Sequence, residues 1–299
     1  MGKPDLSIII VSYNTKKITE NCIKSVVKSL RNSKLLYEII VVDNGSTDGT
    51  VERFRNLDLG FKNLKFIENK ENLGFGKANN QGAKIAKADC ILFLNSDTVI
   101  LDNAIERLFN FFKQNANNIH FTGAKLFNKD MTPQPSCGPF YTLPVVFGAL
   151  FLRGDYWGLT RYSPRNVKEV DWISGACIMT KKDHFQKVGG FDEGIFMYME
   201  EIDLFHRAKK LGFRVFFYPD SHIIHLGSAS SGGKTYPIIQ VYRGFLYLYK
   251  KNRSKLAVFL LKRMLQLKAI IALAIGKATK NKYLIETYEK AYQLTKMDR

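Results

Sequence analysis

The sequence predicts an α/β fold: a mostly parallel central sheet flanked by helices, followed by a helical, basic C-terminal extension. Three observations carry this. From Leu6 to Leu94, short apolar runs alternate with helix-spaced stretches. Each apolar run ends in a cluster of polar, turn-forming residues. After Tyr236 the chain turns helical, aromatic and basic.

Leu6–Ser12 is a continuous apolar run, as expected of a strand buried on both faces. Lys16–Leu30 places Ile18, Cys22, Ile23, Val26, Val27 and Leu30 on one helical stripe. Tyr37–Val42 reads as a second buried strand, and a loop from Asp43 to Gly49 follows it. Thr47 or Asp48 then caps a helix through Thr50–Asn56. Leu64–Glu68 and Cys90–Leu94 read as strands around a helix at Phe75–Ala86. Strands alternating with helices at this spacing imply right-handed crossovers and a largely parallel sheet. A helix is expected at Asp102–Phe112. The second half is less regular: Lys125–Leu150, with four prolines, reads as a long loop with strand fragments. Trp172–Thr180 and Arg214–Tyr218 read as strands, and Asp203–Leu211 as a helix. A domain boundary is expected at residue 235, with residues 1–235 the α/β domain and 236–299 the extension.

Composition bounds the function classes. With 299 residues, 45% hydrophobic and 24% charged, the chain can bury a sizeable core and is not intrinsically disordered. The 4 cysteines show no CxxC pairing, so neither a disulfide scaffold nor a structural zinc site is expected, and a reducing compartment is the default. The six-residue apolar stretch near the N-terminus is too short for a signal peptide, and Leu6 stands where a myristoylation signal wants Ser or Thr. No run of 18 apolar residues is present, so no ordinary membrane-spanning helix is expected. The net charge is +18, and residues 241–299 carry 14 Lys and Arg against 3 Asp and Glu. Such a tail points to a polyanion, and no nucleic-acid recognition motif accompanies it.

In parallel sheets, ligands sit at the carboxyl ends of strands. Here those ends read Ser12-Tyr13-Asn14, Asp43-Asn44-Gly45-Ser46, Asn69–Gly74 and Asn95-Ser96-Asp97. Asp43 either caps the next helix or accepts hydrogen bonds from a base imide or a ribose hydroxyl. Asp97 either starts a helix or offers a hard oxygen to a divalent cation beside a pyrophosphate. Residues 72–80 are Gly-rich, yet their spacing fits neither GxxxxGK[ST] nor GxGxxG. Glu200, Glu201 and Asp203 crowd three carboxylates among apolar neighbours. They are either an acidic helix start or a tuned general base. His225 is either structural or a metal ligand. Trp172 is either a core residue or a flat platform for a sugar.

Taken together, IIIVSYN, VVDNGSTDGT, NLGFGKANNQG, FLNSD, DWISGACIMTKKDHFQKVGGFDE and EEIDLFHRAKKLGFRVFFYP resemble the family 2 glycosyltransferases of the Rossmann-like GT-A fold. The resemblance runs from about Leu6 to His225 and is strongest to the rhamnosyltransferase-like members. It implies an inverting, metal-dependent enzyme that moves a sugar from a nucleoside diphosphate donor to an acceptor hydroxyl. Ser12, Tyr13, Asn14 and Asp43 then hold the nucleotide. Asn72, Gly74 and Asn79 border its base and ribose, with Asn95 and Ser96 beside them. Asp97, with His225, holds Mg²⁺ or Mn²⁺. The family's Asp-x-Asp begins here with Asn95, so Asp97 alone supplies charge. The Glu-Asp-x-Asp motif reads Glu200-Glu201-Ile202-Asp203, which makes Glu201 the base, with Glu200 and Asp203 as rivals. Trp172, Ser174 and Gly175 lie near sugar and acceptor, and Gly227–Gly233 forms a loop able to order over the diphosphate. The expected acceptor is a saccharide or a lipid-linked saccharide at the cytoplasmic face of the cell membrane.

Lys255–Lys277 is apolar but interrupted by Lys262, Arg263, Gln266 and Lys268. This suits a helix lying in an anionic membrane interface. The competing expectation is a soluble helix packed on the catalytic domain or on a second copy. Two other classes stand beside the enzyme: a non-catalytic nucleotide-sugar scaffold, and a basic membrane or nucleic-acid adaptor. A nucleotidyltransferase lacks its early GGxGxR-type loop.

Overall fold

The apolar runs of the first half become strands buried on both faces. The computed structural model describes residues 2–55, 61, 63–227 and 235–296. Asn56, at the end of one expected helix, lies outside the described residues, as does the expected loop beyond Gly227. The first half runs β1 (Leu6–Ser12), α1 (Lys16–Ser29), β2 (Tyr37–Asp43), α2 (Thr50–Arg55), β3 (Leu64–Glu68), α3 (Phe75–Ile85) and β4 (Cys90–Asn95). There follow β5 (Thr98–Ile100), α4 (Ala104–Gln114), β6 (Phe121–Phe127), β7 (Pro133–Gln134), β8 (Cys137–Gly138) and α5 (Leu143–Phe151). The chain continues through β9 (Lys168–Val170), β10 (Trp172–Ile173), β11 (Cys177–Lys181), α6 (Lys182–Val188), α7 (Glu200–Lys210) and β12 (Val215–His225). It ends in α8 (Thr235–Asn252), α9 (Lys255–Ala278) and α10 (Lys282–Lys296).

The main sheet has the order β3-β2-β1-β4-β11-β6-β12-β5. The first four strands are parallel. β11 then runs antiparallel between β4 and β6, and β6 pairs with β12 in parallel. Side chains alternate across a strand, so each strand feeds two cores. Ile8 and Ile10 of β1 pack with Cys22, Ile23 and Val26 of α1 and with Leu108 and Phe112 of α4. Ile9, on the opposite face, joins Phe93, Phe205, Tyr242 and Phe245. Burying each such side chain contributes roughly 1.5–3 kcal/mol.

The second half departs from the sequence-based expectation in four places. The expected loop at Lys125–Leu150 contains α5, whose Pro144 occupies the first turn, where its missing N–H costs nothing. The expected strand Trp172–Thr180 is two strands, β10 and β11, in two different sheets. Ser174, Gly175 and Ala176 turn between them. The helix expected from Asp203 starts at Glu200, so the acidic residues form its first turn. The strand expected to end at Tyr218 continues to His225 past a register shift between Tyr218 and His222.

α8 is packed into the catalytic layer. Tyr242, Phe245, Leu248 and Tyr249 are buried in the same cluster as Phe93 and Phe205. The Tyr249 hydroxyl donates to the Tyr141 carbonyl at 2.8 Å, and the Tyr242 hydroxyl donates to the Leu265 carbonyl at 3.2 Å.

Candidate functional site

The carboxyl ends of β1, β2 and β4 converge because the three strands are parallel neighbours. Asn14 stitches the first two together: its Oδ1 accepts from Thr47 N at 2.7 Å. Ser12 is buried and bonded to the Thr15 and Thr19 hydroxyls. Asp43 Oδ2 accepts from the N–H groups of Gly45 and Ser46 at 3.2 and 2.8 Å. Its Oδ1 is buried without a hydrogen-bond partner among the described residues. A buried carboxylate oxygen left open costs free energy unless a donor arrives.

Asn44 builds the next wall. Its Nδ2 donates to Asn72 Oδ1 at 2.9 Å and to the Gly74 carbonyl at 3.2 Å. Its Oδ1 accepts from Leu73 N at 3.1 Å. Gly74 precedes α3 with φ +85°, and a Cβ there would lie 2.5 Å from the Phe196 carbonyl oxygen. Glycine is required on both counts. Asn79 is buried and donates to the Phe75 carbonyl at 3.0 Å.

One cavity of about 470 Å³ gathers most of the expected residues. Tyr13, Asn72, Asn95, Ser96, Asp97, Trp172, Ser174, Gly175, Glu200, Glu201 and His225 all line it. Ser12, Asn14, Asp43, Gly74 and Asn79 are not among the residues that line it. Asp203 is also outside: its fully buried carboxylate is held by Arg207 Nε at 2.6 Å and Lys251 Nζ at 2.8 Å. Trp172 is buried, with Nε1 donating to the Pro139 carbonyl at 2.8 Å and Tyr141 stacked at 6.0 Å.

Antiparallel pairing of β5 with β12 sets His225 opposite Thr98, beside Asp97. The Gln134 amide then fixes the His225 tautomer. Gln134 Nε2 donates to the His225 carbonyl at 3.3 Å and to Asn128 Oδ1 at 2.9 Å, so its Oε1 is the atom 2.8 Å from His225 Nδ1. Nδ1 must therefore carry a proton to donate. The other ring nitrogen, Nε2, lies 3.3 Å from Asp97 Oδ1 and accepts from Asn95 Nδ2 at 3.3 Å. In the neutral ring two acceptors face each other across that gap. Adjacent ligands of an octahedral Mg²⁺ are also about 3 Å apart. Asn95 Oδ1 is buried without a partner among the described residues. The donor set fits a hard divalent cation. No group of three or more His, Cys, Asp and Glu able to hold a metal occurs among the described residues. Its remaining ligands would therefore have to come from phosphate oxygens and water.

Glu200 and Glu201 approach the cavity from α7. The residues before them, Tyr198 and Met199, have φ of 64° and 73°. Non-glycine residues there cost about 1–3 kcal/mol each and persist only where packing enforces them. α8 supplies that packing: a Cβ on Gly244 would lie 2.7 Å from Met199 Cγ. Burial pushes the Glu200 carboxyl well above its usual range, and the Glu201 charge pushes it further. Burial also raises Glu201, but a hydrogen bond from a backbone amide and the charge of Arg161 hold it down. Asn44, Gln134, Arg161 and Gly244 were not singled out from sequence. Of these, Asn44 alone carried a local signal, directly after a strand-terminal Asp in a turn-rich loop.

A mixed sheet with a strand-end cavity, a facing carboxylate and imidazole, and a buried Glu200 beside a half-buried Glu201 is consistent with a fold of the GT-A type. Residues 7–187 match the profile of glycosyl transferase family 2. The chain belongs to that family and is a glycosyltransferase. It is 26% identical to an N-acetylglucosaminyl-diphospho-decaprenol L-rhamnosyltransferase of Mycobacterium tuberculosis, over 83% of this chain and 84% of that one. It is 28% identical to rhamnosyltransferase WbbL of Escherichia coli, over 73% and 82% of the two chains. Against the low-salt glycan biosynthesis hexosyltransferase Agl10 of Haloferax volcanii, identity is 27% over 69% and 62%.

Proposed function

We propose that this glycosyltransferase transfers a sugar, with inversion, from a UDP- or dTDP-sugar, dTDP-rhamnose included, to a hydroxyl of a saccharide or lipid-linked saccharide in surface-glycan synthesis. The observation that carries the reading is that Asp97, His225, Glu200 and Glu201 line one cavity at the strand ends. Asp43, through its open Oδ1, accepts from the base or ribose of the donor. Ser12, Tyr13 and Asn14 shape the floor beneath it, and Asn72 and Gly74 present backbone to the ribose. Asp97 and His225 would hold Mg²⁺ or Mn²⁺, which, when bound, neutralises charge on the diphosphate.

Trp172, Ser174 and Gly175 border the sugar and acceptor. Glu201 takes the acceptor hydroxyl proton as that oxygen bonds to the anomeric carbon. The bond from that carbon to the diphosphate oxygen breaks, and its electron pair leaves on the nucleoside diphosphate. Glu200, with the more strongly raised carboxyl, lies beside the base. Burial raises the Glu201 carboxyl, the direction that suits a base, and the charge of Arg161 opposes the rise. The basic charge of the C-terminal helices supports a position on the anionic cytoplasmic face of the membrane. Among the described residues no helix is long and apolar enough to cross it.

The test is Glu201→Gln, which is expected to lower transfer on the order of 10²–10⁴-fold with nucleotide binding retained. Wild-type turnover by that variant would overturn the assignment.

A further inference from the structure

Large exposed apolar side chains are concentrated in two neighbouring places. α5 and the turn after it expose Phe147, Leu152, Tyr156, Trp157 and Leu159, with Trp157 67% exposed. α9, which packs against α5, exposes Leu256, Phe259, Leu267, Ile271 and Ile275 at helical spacing. These lie opposite its buried stripe of Leu261, Leu265, Ala269, Ala272 and Gly276. Exposed apolar surface of this extent on a folded chain marks an interaction site.

Charge decides between occupants. α9 carries five basic residues (Lys255, Lys262, Arg263, Lys268 and Lys277) and no acidic one. Arg153 is exposed beside the aromatic turn, and the turn's one carboxylate, Asp155, lies 3.9 Å from Arg161. A symmetric pair of chains would set this face against itself, cation against cation. An anionic lipid surface complements it, and aromatic rings flanked by cations suit the headgroup region.

We propose that α5, residues 152–159 and α9 form one docking face for an anionic bilayer, with the aromatic turn inserted. Ala149 and Leu150 of α5, together with Asp155, also line the cavity. Docking therefore sets a wall of the cavity against the bilayer, where an acceptor carrying a lipid chain is presented. Only this last consequence rests on the proposed transfer reaction.

The chain has two tryptophans, Trp157 exposed and Trp172 2% exposed, so its fluorescence reports the turn directly. The full-length protein is mixed with vesicles of equal parts phosphatidylcholine and phosphatidylglycerol, with or without brominated chains. The expected result is cosedimentation, a blue shift, and quenching by the brominated lipid, with both optical changes absent from Trp157→Phe. Trp157→Glu, at an exposed position, is expected to weaken partitioning at least about fivefold. Bound protein whose Trp157 stays unquenched would overturn the proposal. So would equal binding to pure phosphatidylcholine, or a blue shift that depends on protein concentration without vesicles, which would assign the face to a second copy. Transfer to a water-soluble acceptor is measured in parallel. Trp157→Glu is expected to keep that activity. A wild-type protein that docks but transfers no sugar would overturn the proposed reaction and leave the docking face standing.

Discussion

The half of the site built from β1, β2 and β4 and the half built from residues 121–225 are made by different physics. In the first, each polar cluster follows its own strand by one or two residues, and the partners sit in adjacent loops: Asn14 with Thr47, Asn44 with Asn72. In the second, function depends on contacts between distant segments. Gln134 fixes a histidine 91 residues away, and Gly244 of α8 makes room for the turn that presents Glu200 and Glu201. The first half is therefore tied together by contacts between neighbouring loops. The second holds only while remote packing holds.

Substitutions separate the two halves, and the largest effect belongs to the assembled one. Asp203→Ala leaves Arg207 and Lys251 facing a vacated, fully buried position. It is expected to cost about 3–5 kcal/mol of stability, read as a fall in denaturation midpoint. A near-neutral result would show that α7 and α8 are less tightly coupled than their geometry implies. Asp97→Ala acts on the strand-end half. It is expected to reduce transfer on the order of 10²–10³-fold and to remove the Mn²⁺-dependent part of the thermal shift given by UDP or dTDP, while the melting temperature of the free protein stays close to wild type.

Gln134→Leu tests the long-range support of His225. It is expected to weaken Mn²⁺ affinity in the presence of nucleoside diphosphate about 10–100-fold, measured by manganese resonance. His225→Ala serves as the reference: if it weakens Mn²⁺ and Gln134→Leu does not, the tautomer is fixed some other way. The smallest effect is on pH. His120, His184 and His206 are all lowered from the ordinary histidine value, chiefly by burial. The unfolded chain then binds more protons below about pH 6.5, so this contribution is present above that value and is lost as pH falls through it. Read in a Glu200→Gln, Glu201→Gln background, because the raised carboxyls of those two residues bind protons on folding and act with the opposite sign, thermal melts between pH 8 and pH 5 are expected to show a gradual decline over that range. A midpoint that rises toward pH 5 would contradict it.

Most of the first half was legible. β1, β3 and the start of α1 fall where periodicity put them, because a doubly buried strand must be a continuous apolar run and a helix facing a sheet must carry one apolar stripe. The polar strand ends were legible for the same reason, since a parallel sheet leaves them nowhere to go but a common edge. α5 was hidden because the four prolines of Lys125–Leu150 read as loop, although Pro144, the one inside α5, sits where a helix tolerates it. β10 and β11 read as one strand because the break at Ser174–Ala176 turns on small residues that a strand also accepts. Asp203 stood in the sequence as a rival to Glu201 and, one turn before Arg207, as a partner for that guanidinium; the pairing with Arg207 forms, and Lys251 of α8 adds a second cation that no local pattern signals.

The sequence by itself determined the order of elements, the edge on which the site lies and the carboxylates available to it, because these follow from local pattern and from the fixed polarity of parallel strands. The tertiary structure decided which carboxylate faces the cavity, which nitrogen of His225 is free, and which apolar side chains are left outside. Those depend on distances between segments far apart in the chain, and no local periodicity encodes them.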